Sequence, residues 1–410
     1  MSLHHTTHHE ESLAVEHWAR AADSYPYYRV LSEHPTPAEV VVDGRQAVNA
    51  ASTDYLGLAR DGRVTEAAAR AAARHGTSCS GSPLISGTRT IHREFEEELA
   101  AFLNRPAVTL TATGYQANLA LACLFGEQQV VVSDRHNHAS LVDAVRLGRA
   151  MGRTYRHNDA AHLDKVLRDA TRDGRTPVIL TESVFSVQGD LLDVPAVTAS
   201  ARRHDATLII DRAHDIGVLG EGGPGGSNHA FPDESADIVT GTFSKALGSV
   251  GGFVAGSVEV SHVIRHYGRA AVFSASIPPA AVAAARAALR ILQEEPEHRT
   301  ALTDVSAQLH DGLARLGHPR TAWPGPIVAL PVDGGAKTCM SAWRALLDRG
   351  VFAAAFVPPA APRPLMRFSV TAAHTPAQVD GMLQAISDVL DVSPSLPGPR
   401  PRAATTGTSS

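Results

Sequence analysis

Lys245 sits in TGTFSKALGSVGG (240–252), among small and hydroxylated residues and ahead of several glycines. Lysine is ordinarily a surface residue with a solvated charge, so the position has two readings. It is either the incidental start of a helix or a tether, with small neighbours leaving room for what is attached. Asp211, earlier in the chain, ends the apolar run ATLII. It is either a helix N-cap or the partner of a protonated ring nitrogen, since a carboxylate at a buried strand end is costly without a cation. Thr113-Gly114-Tyr115 follows AVTLTA and precedes the helical QANLALACLF; it is a plain strand-to-helix turn or a cradle of amides for an anion. A strand-end acid followed by a strand-end lysine is what pyridoxal phosphate chemistry requires: the lysine forms a Schiff base, and burial lowers its pKa so that it is nucleophilic and later basic. A phosphate turn upstream completes the ordered set.

These residues must be positioned by strands. Apolar runs of strand length occur at 107–112, 129–134, 177–182, 206–211, 237–243 and 251–256, most of them separated by alanine-rich helical stretches such as 193–204. Near-continuous Val/Ile/Leu runs alternating with helices predict an α/β fold with a mostly parallel sheet covered on both faces. Polar residues gather where the runs end, at Ser133-Asp134, Thr181-Glu182 and Asp211, and open α/β sheets bind ligands beyond those ends. A long helical segment (279–298) leads into a smaller α+β region with strands at 327–332 and 366–370. The division expected is an N-terminal segment (1–50), a large domain (51–290), a small C-terminal domain (291–392) and a disordered Pro/Gly/Ser/Thr-rich tail (393–410).

Composition narrows the class. The chain has 410 residues, 44% of them hydrophobic and 19% charged, and a formal net charge of −5, which gives no electrostatic footprint for nucleic acid or an anionic membrane. No apolar run approaches the roughly eighteen residues of a membrane span. The start, MSLHHTTHHEES, lacks the apolar core of a signal peptide. Its histidines (His4, His5, His8, His9) read as a disordered leader, since no acidic or cysteine partners converge on them to make a metal site. Cys79, Cys123 and Cys339 are far apart with no C-x-x-C pair, which argues for a reducing, cytoplasmic setting and against disulfides or zinc.

Ten stretches in order over about 50–375 resemble the α-oxoamine synthase group of fold-type I pyridoxal phosphate enzymes. They include STDYLGLA (52–59), TGYQAN (113–118), DRHNHASLVDAVRLG (134–148), TESVFSVQGD (181–190), DRAHDIGVLGEGGPG (211–225), GTFSKALGSVGG (241–252) and RFSVTAAHT (367–375). The resemblance implies a homodimer with shared active sites. It also implies roles: Lys245 as Schiff-base lysine and proton carrier, Asp211 on the pyridine nitrogen, and His138 on the ring face. His214 and Ser186 would lie around the 3-hydroxyl. Thr113, Gly114, Tyr115, Thr242 and, from the second subunit, Ser274 would contact the phosphate, with Glu182 also at the cofactor. Arg367 would grip the amino acid carboxylate, and Thr53 stands where the group has a carboxylate-contacting Asn.

The implied reaction condenses an amino acid with an acyl thioester, in most of the group with loss of carbon dioxide. Several positions depart from the pattern: Thr53, Pro83 for an arginine, Arg212 and Asp215 beside the cofactor motif, Leu365 for the first arginine of R-x-R, and Ala275-Ser276. None removes a cofactor contact. They point to a specialised amino ketone synthase, with an acyl carrier protein as a candidate donor in place of CoA. The alternatives are a housekeeping 8-amino-7-oxononanoate synthase or 2-amino-3-ketobutyrate CoA ligase, and a non-catalytic partner subunit, which would lack the lysine.

Overall fold

The computed structural model describes residues 7–34, 36–172, 174–225, 236–321 and 323–390. Near the N-terminus, β1 (Leu31–Glu33), β2 (Glu39–Val42) and β3 (Arg45–Asn49) form an antiparallel meander. The main sheet follows with β4 (Ala107–Thr111), β5 (Gln129–Asp134), β6 (Met151–Tyr155), β7 (Thr176–Glu182), β8 (Thr207–Asp211), β9 (Ile238–Thr242) and β10 (Gly252–Gly256). Its order is β4-β10-β9-β8-β7-β5-β6. Strands β5 to β9 pair in parallel, as their continuous apolar runs require. Strand β10 runs antiparallel to both β4 and β9, with Gly252 opposite Thr111 and Thr242. The carboxyl ends of β4, β5, β7, β8 and β9 therefore share one edge with the start of β10.

Three features differ from the sequence expectation. Strand β6 carries three exposed central residues at the sheet edge, so it lacks the apolar run that marks the others. The helical segment from 279 is two helices, Pro279–Glu294 and Glu297–Arg315, which meet at Glu295-Pro296 because proline has no amide for a helix interior. His8 and His9 fall within the helix Thr7–Ala21 rather than in an unstructured leader. His4, His5 and the tail at 393–410 lie outside the described residues. No helix among the described residues is long and apolar enough to cross a membrane.

Toward the C-terminus, β11 (Ile327–Pro331), β14 (Leu365–Ser369) and β13 (Ala354–Phe356) make a second antiparallel sheet, and β12 (Val351–Phe352) pairs in parallel with β3. One apolar core accordingly joins Val40, Val42 and Ala47 to Leu309, Trp343, Phe368 and Ile386. The large sheet has its own core, in which Phe243 stacks on Phe253 at 5.8 Å and meets Phe95 tilted at 5.1 Å. That aromatic stack lies under the lysine turn. Phe253 is fully buried, so Phe253→Ala is expected to cost about 3–5 kcal/mol, read as a lowered urea midpoint.

Candidate active site

Beyond the shared strand edge lies a cavity of about 300 Å³. Its lining includes Thr113, Gly114, Tyr115, His138, Glu182, Ser186, Asp211, His214, Thr242 and Lys245, residues far apart in the chain. Each is delivered by a strand end. Glu182 and Asp211 are the last residues of β7 and β8 and sit opposite each other in register. Thr242 ends β9 and its hydroxyl bonds the Gly251 carbonyl at 3.0 Å. Thr113 caps the helix Gly114–Ala120, and His138 caps Ala139–Leu147.

The glycines of the lysine turn make close backbone approaches. Gly248 has φ +55°, and a Cβ there would lie 2.5 Å from the Ala59 amide nitrogen; a Cβ at Gly252 would lie 2.6 Å from Gly114 Cα. The small residues thus seat the turn against the short helix Leu58–Arg60 and the Thr113-Gly114 turn, which goes beyond leaving room for an attached group.

Burial sets the charges. It pulls the Lys245 amine down to about 8 against the opposing pull of Asp211 and Glu182. Burial and the neighbouring Asp211 push Glu182 up to about 8, so it keeps its proton at neutral pH; it accepts the His138 amide. His214 is held well below the ordinary imidazole value by burial, then by Lys245, Arg367 and His138. Asp211 caps a turn and not a helix: Oδ1 accepts the Ala213 amide at 2.9 Å, and Oδ2 accepts from Asn118 Nδ2 at 2.6 Å.

Asn118, Ser140 and Tyr55 belong to this arrangement and were not singled out from sequence. Asn118 bridges Asp211, Ser140 (2.8 Å) and Thr240 (2.7 Å). Tyr55 bonds His214 Nδ1 at 2.6 Å. The signal for them was a place inside TGYQAN, DRHNHAS and STDYLGLA, but a buried amide, hydroxyl or phenol carries no mark of its partner.

Other expected residues stand off the lining. Arg367, on β14, donates from Nη1 to the Ser186 carbonyl at 2.8 Å and lies 5.0 Å from the Phe356 ring. Ser274 accepts from Gln116 Nε2 at 2.9 Å, and neither it nor Thr53 lines the cavity of its own chain. The added charges of the DRAHD stretch face each other, Arg212 Nε lying 3.9 Å from Asp215 Oδ2, both buried.

The residues present fit a pyridoxal phosphate. They supply an amine of lowered pKa, a strand-end carboxylate, a flanking imidazole and a helix-start turn around one cavity. The model of the aminotransferase class I and II family matches residues 45–386. A serine palmitoyltransferase of Sphingobacterium spiritivorum is 37% identical over 87% of this chain and 89% of its own. An 8-amino-7-oxononanoate synthase of Methylococcus capsulatus is 38% identical over 90% and 96%. The chain belongs to this family, in its α-oxoamine synthase group. A solved serine palmitoyltransferase variant from S. paucimobilis with bound PLP–myriocin aldimine superposes with a TM-score of 0.88 at 30% identity, covering 93% of this chain and 96% of that one. A longer Mycobacterium tuberculosis relative, 40% identical over 83% of this chain, is spanned over 44% of its length.

Behind the cavity, His157 joins Asp134, at the end of β5, to Asp190. Its Nδ1 meets Asp134 Oδ1 at 3.0 Å and its Nε2 meets Asp190 Oδ2 at 2.8 Å, while His136 stacks on the ring at 4.0 Å. Burial opposes its charge, but the two carboxylates outweigh that and hold the imidazole at about 9. The raised value means its stabilisation is complete below the unfolded value of about 6.5 and is lost as pH rises through about 9. His157→Gln should cost about 2 kcal/mol at pH 6, with the difference in Tm from the parent shrinking toward pH 9.

Proposed function

We propose that this chain is a pyridoxal-phosphate-dependent acyltransferase that joins the α-carbon of an amino acid to the acyl group of a thioester, with loss of carbon dioxide, giving an α-amino ketone. What carries the reading is the convergence of Lys245, Asp211, His138, His214 and the Thr113–Tyr115 turn on one cavity. Lys245 would hold the cofactor covalently. Asp211, oriented by Asn118, would pair with the ring nitrogen. His138 would lie on the ring face, and His214 and Ser186 near its 3-hydroxyl. Thr242 and the amides at Gly114 and Tyr115 would take the phosphate. When bound, the group supplies an electron sink for a carbanion at the substrate α-carbon.

The chain's own residues do the rest. Lys245 Nζ, near 8, is deprotonated often enough at neutral pH to take the α-proton and is basic enough to hold it. Arg367, aimed by the Ser186 carbonyl and the Phe356 ring, would grip the amino acid carboxylate. A thioester carbonyl held beside the α-carbon would be the carbanion's electrophile. A second copy of the chain would complete the site. Ile85 and Phe273 are 81% and 80% exposed, which favours cover by another subunit, and Ser274 follows directly after Phe273.

The substrates belong to specialised metabolism on this reading, with acyl carrier protein or CoA as thiol carrier. Thr53, Pro83, Arg212, Asp215 and Leu365 support it by departing from the group's pattern. The similarity to 8-amino-7-oxononanoate synthases favours the housekeeping alternative. Purified protein offered glycine, alanine or serine with CoA- and carrier-bound acyl groups should release thiol. Release with only alanine and a pimeloyl thioester would overturn the specialised reading. Lys245→Ala is expected to lose the visible absorbance that the parent gains on adding pyridoxal phosphate, and to lose about 10²–10⁴-fold in rate. A parent with no such absorbance would instead be a non-catalytic partner subunit.

A further inference from the structure

The hydrogen bond between Tyr55 and His214 has a direction, and the surroundings decide it. Tyr55 is fully buried, and its hydroxyl has His214 Nδ1, 2.6 Å away, as its one hydrogen-bond partner among the described residues. A phenol carries one proton, and a neutral imidazole carries one on either ring nitrogen. If Nδ1 held the proton and donated to the phenol oxygen, the buried O–H would be left without an acceptor, an arrangement folded proteins avoid. If the phenol donates to a bare Nδ1, its proton is satisfied and the imidazole proton must sit on Nε2.

Both partners keep the protonation states this requires. Burial holds the phenol proton on Tyr55. His214 stays neutral because burial and the nearby Lys245 and Arg367 all disfavour a second proton. Arg367 also acts on Tyr55, and a cation there polarises the O–H toward donation. Tyr55 itself is fixed from behind, since its carbonyl accepts the Ala372 amide at 2.7 Å, three residues beyond β14.

We propose that Tyr55 is a positioning residue whose hydroxyl locks His214 in the Nε2–H form, so that this histidine presents a donor, never an acceptor, to the cavity it lines. This rests on the proposed function for its purpose, because a fixed donor beside the cofactor's 3-oxygen favours that oxygen's anionic form. Tyr55 would act through His214 without touching cofactor or substrate. It also links the Arg367-bearing strand to the ring-tuning histidine.

The experiment is ¹⁵N NMR of histidine-labelled, cofactor-free protein, compared with Tyr55→Phe, which removes the hydroxyl and little volume. A His214→Asn sample identifies the signal pair. The expected result is a bare Nδ1 and a protonated Nε2, unchanged across neutral pH in the parent, with tautomers mixed in Tyr55→Phe. A protonated Nδ1 in the parent, or the same single tautomer in Tyr55→Phe, would overturn the inference. With pyridoxal phosphate and substrates, Tyr55→Phe should lower kcat by about five- to tenfold, one hydrogen bond's worth, with KM for the amino acid nearly unchanged. An equal loss carried in KM would also count against it. Because the tautomer is read without cofactor, a parent that binds no pyridoxal phosphate would sink the proposed function while the NMR result still decides this inference.

Discussion

The arrangement depends on confining an amine and two carboxylates within one small, poorly solvated space. Charges are expensive away from water, and Lys245, Asp211 and Glu182 are too close to be independent. The protein meets the cost by dividing labour between the acids. Glu182 is pushed toward its neutral form and accepts the His138 amide, while Asp211 is held by Asn118 and the Ala213 amide. The amine is left with a proton affinity near physiological pH. Such poise around one cavity points to a chemical site rather than to structural ion pairing.

Sheet topology makes that confinement possible. The five parallel strands β5 to β9 and β4 all end at one edge, and the reversed β10 begins there. Residues from 113 to 245 therefore meet although the chain between them runs through many helices. The backbones that meet must come unusually close. Gly114, Gly248 and Gly252 are where a side chain would strike a neighbouring turn. The aromatic layer of Phe95, Phe243 and Phe253 supports that edge from below.

Much of this was legible in the residues. The continuous apolar runs of β5, β7 and β8 mark a buried parallel sheet, and the polar residues closing them mark its functional edge. Strand β6 was not legible, since an edge strand with exposed central residues has no apolar run to show. Nor was the break at Glu295-Pro296, because alanine-rich helical spacing continues up to the proline and resumes beyond it. In the site, residues with rare chemistry stood out: Lys245 among small residues and Asp211 after ATLII. Asn118 and Tyr55 did not, because their importance lies in a bond to a residue 93 or 159 positions away. His138 was chosen by resemblance alone; its neighbour His136 has the same local chemistry and turns instead to stack on His157.

The pairing of β3 with β12 has a consequence for how the chain is made. Val48 lies opposite Val351, and nearby Arg45 bonds Asp348, 303 residues further on. During synthesis the meander emerges some 300 residues before Val351 and Phe368, which share its apolar core. At typical elongation rates that interval is roughly 15–60 s. Through it, three buried strand positions and two unpaired strand edges remain exposed, while the large sheet has the time and the contacts to form by itself. Strands made much later thus complete the core that the meander begins.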